Sequence, residues 1–444
     1  MDLLRLLPSF IRRHLSDSPN RQEIVANSGW LVSDKILRLV VGLFVSVLVA
    51  RYLGPGRFGL LSYAIAFASL FGVLAGLGLE NIVIRELVKR PWDQQRLLGT
   101  AFFLQFAAGI LTWGIVIAVV ALLPHGVDGT FWLVFIVAIS FVFQSVKIVE
   151  FHFRSRVEAR YIVLGKVVPF LLISAFKVAL VLSEAGVAAF AAAFTLEAAL
   201  EAIGLVVIYR LRGQKPAGLR FDRDIALRTL SESWPLLLSG LSIMVYMRID
   251  QIMLGQMSGI EEVGLYAAAV RISEVWYFIP TFLAQSAFPI IVQSRGEDQT
   301  LYNRRLQDLF SLTCVFSYFM ILPLVLFSHV IIVALFGPAY AASGKVVAMH
   351  VWGGLFVSLG VVQSTWLVNE GLTRLSLFRT LLGAIANVIL NLLLIPVFGI
   401  MGAAVATVAS YAFAAMFSNL LFQVTRPVFK MQLKGLACVF EKSA

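Results

Sequence analysis

The chain has 444 residues, of which 59% are hydrophobic and only 14% charged, with a mean hydropathy of +0.88. Soluble domains sit nearer roughly 45–50% apolar and 25% charged, so this balance excludes an ordinary globular enzyme and predicts a protein that crosses the membrane many times. A net charge of +11 would point to nucleic acid in a soluble protein, so its distribution along the chain decides its meaning.

Residues 1–27 interleave Leu3, Leu4, Leu6, Leu7, Phe10 and Ile11 with Arg5, Arg12 and Arg13. Without an apolar stretch and a small-residue cleavage site, this reads as an interfacial amphipathic segment broken at Pro8. Apolar runs then follow at about 29–51, 60–84, 97–122, 131–150, 162–183 and 187–209. After a polar linker at 210–231, six more run at about 232–255, 263–292, 308–335, 344–368, 377–397 and 402–424. Each approaches or exceeds the ~20 residues that a bilayer-spanning helix needs, which predicts an all-α protein of about twelve spans. Pro169, Pro280, Pro289, Pro323 and Pro396 fall in or beside these runs and mark expected kinks. The domain expectation is an amino-terminal lobe over 28–209, a linker over 210–231, a carboxy-terminal lobe over 232–424 and a tail over 425–444.

With an even span count, both termini share one side. The loops on that side hold 27 of the 36 Lys and Arg residues, whereas the other side has only Arg51, Arg57 and Lys345. The basic excess is therefore a topology signal that places both termini in the cytoplasm, and it needs no nucleic acid. The halves also resemble each other. Gly54 and Gly59-Leu60 correspond to Gly255 and Gly264-Leu265, and Glu184–Phe194 parallels Phe398–Val408. Six spans per half make this a parallel repeat about an axis normal to the membrane.

Ionisable residues inside spans are costly and are functional candidates. In the first span, Asp34 and Arg38 are four apart on one face, flanked by Lys35. Lys177, Glu197 and Glu201 are placed to pair between the fifth and sixth spans. The strongest set is Arg248, Asp250, Arg271 and Glu274 on the seventh and eighth spans. Counted outward from their shared loop, both arginines lie at roughly the same depth, about 12 Å below the face. The four can neutralise one another, with Asp250 holding an arginine in place, or leave a guanidinium free for a bidentate phosphate contact. Asn387, Asn391 and Gln285 are candidate sugar contacts. Asn387 and Asn391, one turn apart, can equally bond helix to helix. Asp250, Glu274 or Glu197 would carry H⁺ or Na⁺ if transport is ion-coupled. No Walker A loop, no catalytic triad and no paired metal-ligand spacing occurs in the sequence, so no catalytic residue, metal or other cofactor is expected.

Three stretches carry a resemblance: NSGWLVSDKILRLVVGLFVSVLVARYLGPGRFGLLSYA, MRIDQIMLGQMSGIEEVGLYAAAVRISEVWYFIP and VFGIMGAAVATVASY. In this order they resemble the bacterial polysaccharide-transporter family, which includes the O-antigen flippases. That family shares a superfamily with multidrug and toxic-compound extrusion transporters and with lipid II flippases, which usually carry two further spans. The resemblance implies two six-helix lobes forming a V around a central cavity, with alternating access. It also implies a polyprenyl-diphosphate-linked oligosaccharide substrate, moved across the bacterial inner membrane by a monomer beside membrane lipids and polymerase or glycosyltransferase partners. The family's cationic cavity would map onto Lys35, Arg38, Arg248 and Arg271. The alternative within the superfamily is a cation-coupled multidrug antiporter.

The topology is checked by single cysteines in a background lacking Cys314 and Cys438. Impermeant thiol reagents added outside should label Ser258→Cys and Gly186→Cys, and Gln94→Cys and Gln214→Cys only after permeabilisation. Inside-only labelling at Ser258→Cys would invert the orientation.

Overall fold

The structure is a computed structural model that describes residues 19–122, 129–214 and 218–441. The amphipathic segment expected over 1–27 falls, up to residue 18, outside the described residues. Among the described residues every regular element is helical, and nine segments are long and apolar enough to cross a membrane. Helix α1 runs Pro19–Gly76 but turns sharply at Gly54 (φ 69°, ψ 170°), so it comprises two spans. That backbone conformation is strained for any residue with a Cβ, and Pro55 follows directly, where it can donate no backbone hydrogen bond.

The amino-terminal half continues with α2 (Glu80–Lys89), α3 (Gln94–Leu122) and α4 (Thr130–Ser155, tightened to a 3₁₀ turn at Gln144–Lys147). Helices α5 (Ala159–Leu182) and α6 (Val187–Leu211) complete it. The carboxy-terminal half opens with α7 (Arg223–Met257), α8 (Ile260–Ser273) and α9 (Phe278–Glu297). It goes on through α10 (Gln299–Leu326), α11 (Ser328–Phe336), α12 (Ser343–His350) and α13 (Gly353–Asn369). Helix α14 (Thr373–Ala415) turns at Gly399 (φ 54°), again joining two spans. An amphipathic helix, α15 (Arg426–Glu441), ends the described chain. Counting each bent helix twice and α8–α9 as one interrupted span gives twelve spans, the expected number.

Three expectations change. The eighth span, read as continuous over 263–292, breaks at residues 274–277, and Pro280 lies in the first turn of the restarted helix, where its missing N–H is tolerated. The tail over 425–444 is a packed helix for most of its length. Val428 and Leu436 join the cluster of Tyr302, Leu306 and Phe310, and Gln307 donates to the Met431 carbonyl at 3.1 Å. The partner of Gly54 in the repeat is Gly259, not Gly255. Gly259 has the matching backbone (φ 107°, ψ 165°), with the same spacing in sequence as Gly59 to Gly264. Gly255 is small for another reason, since a Cβ there would lie 2.6 Å from the Tyr63 ring.

The chain forms two compact units. Unit 1 comprises residues 1–52 and 71–237, and unit 2 comprises residues 53–70 and 238–444. The later boundary, 237/238, falls inside α7, beyond the polar stretch at 210–231, and the start of the second span, 53–70, belongs to unit 2. In unit 1, α5 and α6 cross at Gly165 and Gly204, where a Cβ on Gly204 would meet the Gly165 carbonyl oxygen at 2.1 Å. In unit 2, residues 55–59 meet 260–264 reciprocally. A Cβ on Gly59 would lie 2.0 Å from the Ile260 oxygen, and one on Gly264 would lie 2.0 Å from the Pro55 oxygen. Pro55 corresponds to Ile260 by the same offset, so the contact is self-complementary, as a two-fold relation between repeats requires.

Neither backbone can yield to an added side chain as a flexible rotamer could. Gly264→Val should therefore destabilise by more than the ~1–3 kcal/mol of ordinary overpacking and sharply reduce folded protein. Gly114→Ala, whose Cβ would enter open space, should leave the melting temperature of the purified protein unchanged.

Candidate functional site

Charge in a span must find a partner or water, because a bare ion facing lipid costs at least ~2.5–3.5 kcal/mol even on the most lenient scale. In unit 1 the cations find carboxylates. Asp34 and Arg38, one turn apart on α1, pair at 2.9 Å, and Arg38 Nη1 reaches Glu201 on α6 at 2.8 Å. The Arg38 guanidinium also lies over the Phe170 ring of α5, 4.8 Å from its centroid. Lys177 meets Glu197 at 2.7 Å, and Lys166 meets Glu150 at 3.0 Å and Glu201 at 3.9 Å. A cavity of about 240 Å³ lies beside this network, lined by Ser140, Gln144, Lys147, Glu150, Glu197 and Glu201. Arg38 and Glu197, both sequence candidates, are thus committed to ion pairs that tie helices together. Lys35 is exposed and has no ion pair among the described residues.

Unit 2 is different. Helix α8 is buried over Val263–Val270 and again at Ile272 and Ser273, yet Arg271 is exposed. Its guanidinium lies 5.8 Å from the Phe58 ring centroid and has no ion pair among the described residues. The cost of leaving a lone guanidinium against hydrocarbon favours a polar or hydrated setting for it. Arg248 on α7 approaches Glu274, at the α8–α9 break, at 3.9 Å, too long for a hydrogen bond. The sequence pattern expected Asp250 to hold one of these arginines, and it holds neither. Asp250 is buried and accepts from the Tyr266 hydroxyl, from Thr407 Oγ1 at 3.2 Å and from the Gln251 N–H at 2.7 Å.

Asn387 and Asn391 are fully buried. Asn391 donates to Asn387 at 3.1 Å, and Asn387 donates to Ser410 at 3.1 Å. Their use is to tie the two arms of α14 together, the second of the two roles read for them. Gln285 on α9 is exposed.

One functional candidate was missed. Arg379 stands at the start of the apolar run at 377–397 and was not among the ionisable candidates, and α14, which begins at Thr373, carries it nearly two turns into the helix. It donates to Gln363 Oε1, Ser364 Oγ and, at 3.0 Å, the Gly360 carbonyl. Every one of these acceptors is neutral, and no ion pair involves Arg379 among the described residues. Gln363 is itself fixed by a buried amide chain through Asn419 and Gln432. The apolar residues Leu375, Leu377 and Phe378 before Arg379 were the signal that the helix starts early.

The family model described as "Polysaccharide biosynthesis protein" matches residues 24–295, and the MatE model matches residues 235–393. A "Probable flippase AglR" of Haloferax volcanii is 35% identical over 185 residues, covering 39% of this chain and 37% of that one. A "Probable low-salt glycan biosynthesis flippase Agl15" of the same organism is 27% identical over 173 residues, covering 38% and 36%. The matches thus span about a third of each curated relative. Two solved structures share the fold over nearly all of both chains. A multidrug resistance MATE family transporter, inward-facing, has a TM-score of 0.71 at 15% identity, covering 92% of this chain and 96% of that one. The lipid II flippase MurJ has 0.70 at 17%, covering 94% and 92%.

The two kinds of arginine separate in a stability assay. Arg38→Leu strands Asp34 and leaves Glu201 only the longer Lys166 contact at 3.9 Å, and it should lower the melting temperature of the purified protein by several degrees, corresponding to about 1–3 kcal/mol after allowing for partial exposure. Arg271→Leu removes a cation without an ion-pair partner and should leave the melting temperature unchanged or raise it.

Proposed function

Because the chain belongs to the polysaccharide biosynthesis protein family, with more than half of its length matched, we propose that it is a flippase for a lipid-linked glycan. Its substrate on this reading is a polyprenyl-diphosphate-linked oligosaccharide, moved from the cytoplasmic to the outer leaflet by alternating access. The observation that carries the reading is Arg271, an exposed residue without an ion-pair partner among the described residues, on a helix buried at every other position from Val263 to Ser273. A guanidinium held at depth in a polar or hydrated setting suits a phosphate, which it can meet with two parallel charge-assisted hydrogen bonds. Arg248, only loosely engaged with Glu274, stands ready beside it as a second cation. Without such a site, a diphosphate would cross hydrocarbon against a Born cost that reaches tens of kcal/mol. Of the two relatives, one is a probable flippase and the other a probable low-salt glycan biosynthesis flippase by name, so the proposal is drawn at lipid-linked glycan export and not at O-antigen in particular.

Coupling falls to Asp250. Glu274 and Glu197 each have a basic neighbour, whereas Asp250 is buried with only hydroxyl and amide donors, the setting in which a carboxylate can exchange H⁺ or Na⁺. A second reading, cation-coupled drug antiport, draws on the MatE match over 235–393. It would need a carboxylate open to a cationic drug, but Glu197 and Glu201 in the unit 1 cavity are already paired.

In a deletion strain, plasmid-borne Arg271→Ala should abolish surface glycan at normal protein level, and Arg271→Lys should restore only part of it. Asp250→Asn should fold and insert but make glycan export indifferent to collapse of the ion gradient. Full export by Arg271→Ala would overturn the site, and cationic dye efflux with intact surface glycan in the deletion strain would favour the second reading.

A further inference from the structure

Two spaces in unit 2 are built on the same stretches of α7 and α14, and their linings differ: one is almost wholly apolar, the other mixes apolar and polar groups. The first is a groove of about 530 Å³, within the size range of small-ligand sites. Leu238, Leu241 and Val245 line it from α7, and Leu381, Ile385 and Val388 from α14. Its rims face outward, since Leu238, Leu381 and Ile385 are all exposed large hydrophobics. The second space, of about 210 Å³, is mixed: Arg379, Ser239, Tyr246, Ser376, Thr380 and Tyr411 give it polar groups that the groove lacks, beside apolar side chains such as Ile243 and Phe356.

Consecutive residues divide between the two spaces. Leu238 faces the groove and Ser239 the mixed pocket, and Leu377 and Leu381 face the groove while Ser376 and Thr380 face the pocket. The spaces therefore lie within about one helix diameter of each other, ~10 Å, at the same level along both helices. One helix pair thus offers an apolar channel on one side and a fixed guanidinium among hydroxyls on the other. Arg379 has no carboxylate partner among the described residues, its three bonds use only part of its five donors, and the Gln363–Asn419–Gln432 chain holds it in place. An apolar groove alone would say nothing about its occupant. A groove with an uncompensated, preorganised cation beside it selects an amphiphile with one long hydrocarbon chain and a phosphate at its end.

We propose that this groove seats the polyprenyl chain of the transported lipid, with Arg379 binding the phosphate at its head. The proposal rests on the flippase reading and adds to it a tail site and a third arginine, neither of which the Arg248–Arg271 set requires. Bulk phospholipid is the competing occupant, and the choice of a polyprenyl chain over it rests on the flippase reading.

The test is native mass spectrometry of the purified full-length protein with three probes: undecaprenyl monophosphate, undecaprenol, and dioleoyl phosphatidic acid. Retention of undecaprenyl monophosphate should exceed that of either other probe by about ten-fold or more, the factor expected of one charge-assisted hydrogen bond. Arg379→Gln should remove the preference over undecaprenol. Val388→Trp, which fills the groove from its lipid face, should reduce retention of both polyprenyl probes. Leu172→Trp, on the exposed face of α5, should change neither. Equal retention of phosphatidic acid would assign the groove to bulk phospholipid and overturn the proposal, as would undiminished retention in Val388→Trp and in Arg379→Gln, each at the wild-type melting temperature. Surface glycan measured in the deletion strain keeps the two readings apart. Normal export with no polyprenyl preference sinks the tail site alone, whereas polyprenyl retention with no effect of the deletion on glycan sinks the flippase reading alone.

Discussion

The structure depends on what becomes of a guanidinium inside a membrane. Removing such an ion from water is expensive, and the protein meets that expense in two ways. In unit 1 it uses carboxylates, so that Arg38 bridges Asp34 and Glu201 and the cost becomes a tie between α1 and α6. In unit 2 it relies on a polar or hydrated setting or on neutral acceptors and leaves Arg271 and Arg379 without ion pairs. The second arrangement is the less stable one for the protein alone. An arriving anion would offset part of that cost, and this is what the proposed function uses.

Much of this was legible in the sequence. Apolar runs of span length gave twelve crossings, and the two bends that hide crossings inside single helices fall at Gly54 and Gly399, in the predicted loops. The repeat was visible through Gly59 and Gly264, and the structure explains why those two glycines recur. Each lies against the other's strand of backbone, where no Cβ fits. Pairings separated by one helical turn, such as Asp34 with Arg38, follow directly from helix geometry. The Lys177–Glu197 pair was also anticipated, because the two residues face each other across one short loop.

What was not legible depended on distances that hydropathy does not encode. Nothing in the sequence says that Asp250 turns to Tyr266 and Thr407 while Glu274 takes the position nearest Arg248. Asp250 is two residues from Arg248, which on a helix points its side chain about 200° away. The break after Ser273 then brings Glu274 round to Arg248. Arg379 was missed because a basic residue near a span's end looks like a topology signal, even though it stands within the apolar run at 377–397, and the start of α14 at Thr373 puts it well inside the helix. Asn387 and Asn391 looked equally suited to sugars and to helix packing, and their complete burial selects packing.

The central claim is that this chain alone carries a diphosphate glycolipid across a bilayer. The direct measurement is a dithionite-quenching assay on proteoliposomes that hold the purified protein and a fluorescent polyprenyl-diphosphate oligosaccharide in both leaflets. If the account holds, wild-type vesicles lose nearly all fluorescence, because inner-leaflet lipid reaches the outer face, while Arg271→Ala vesicles lose only the outer-leaflet share. Equal quenching in wild-type and protein-free vesicles, with the protein folded and correctly inserted under an imposed H⁺ or Na⁺ gradient of either direction, would contradict it.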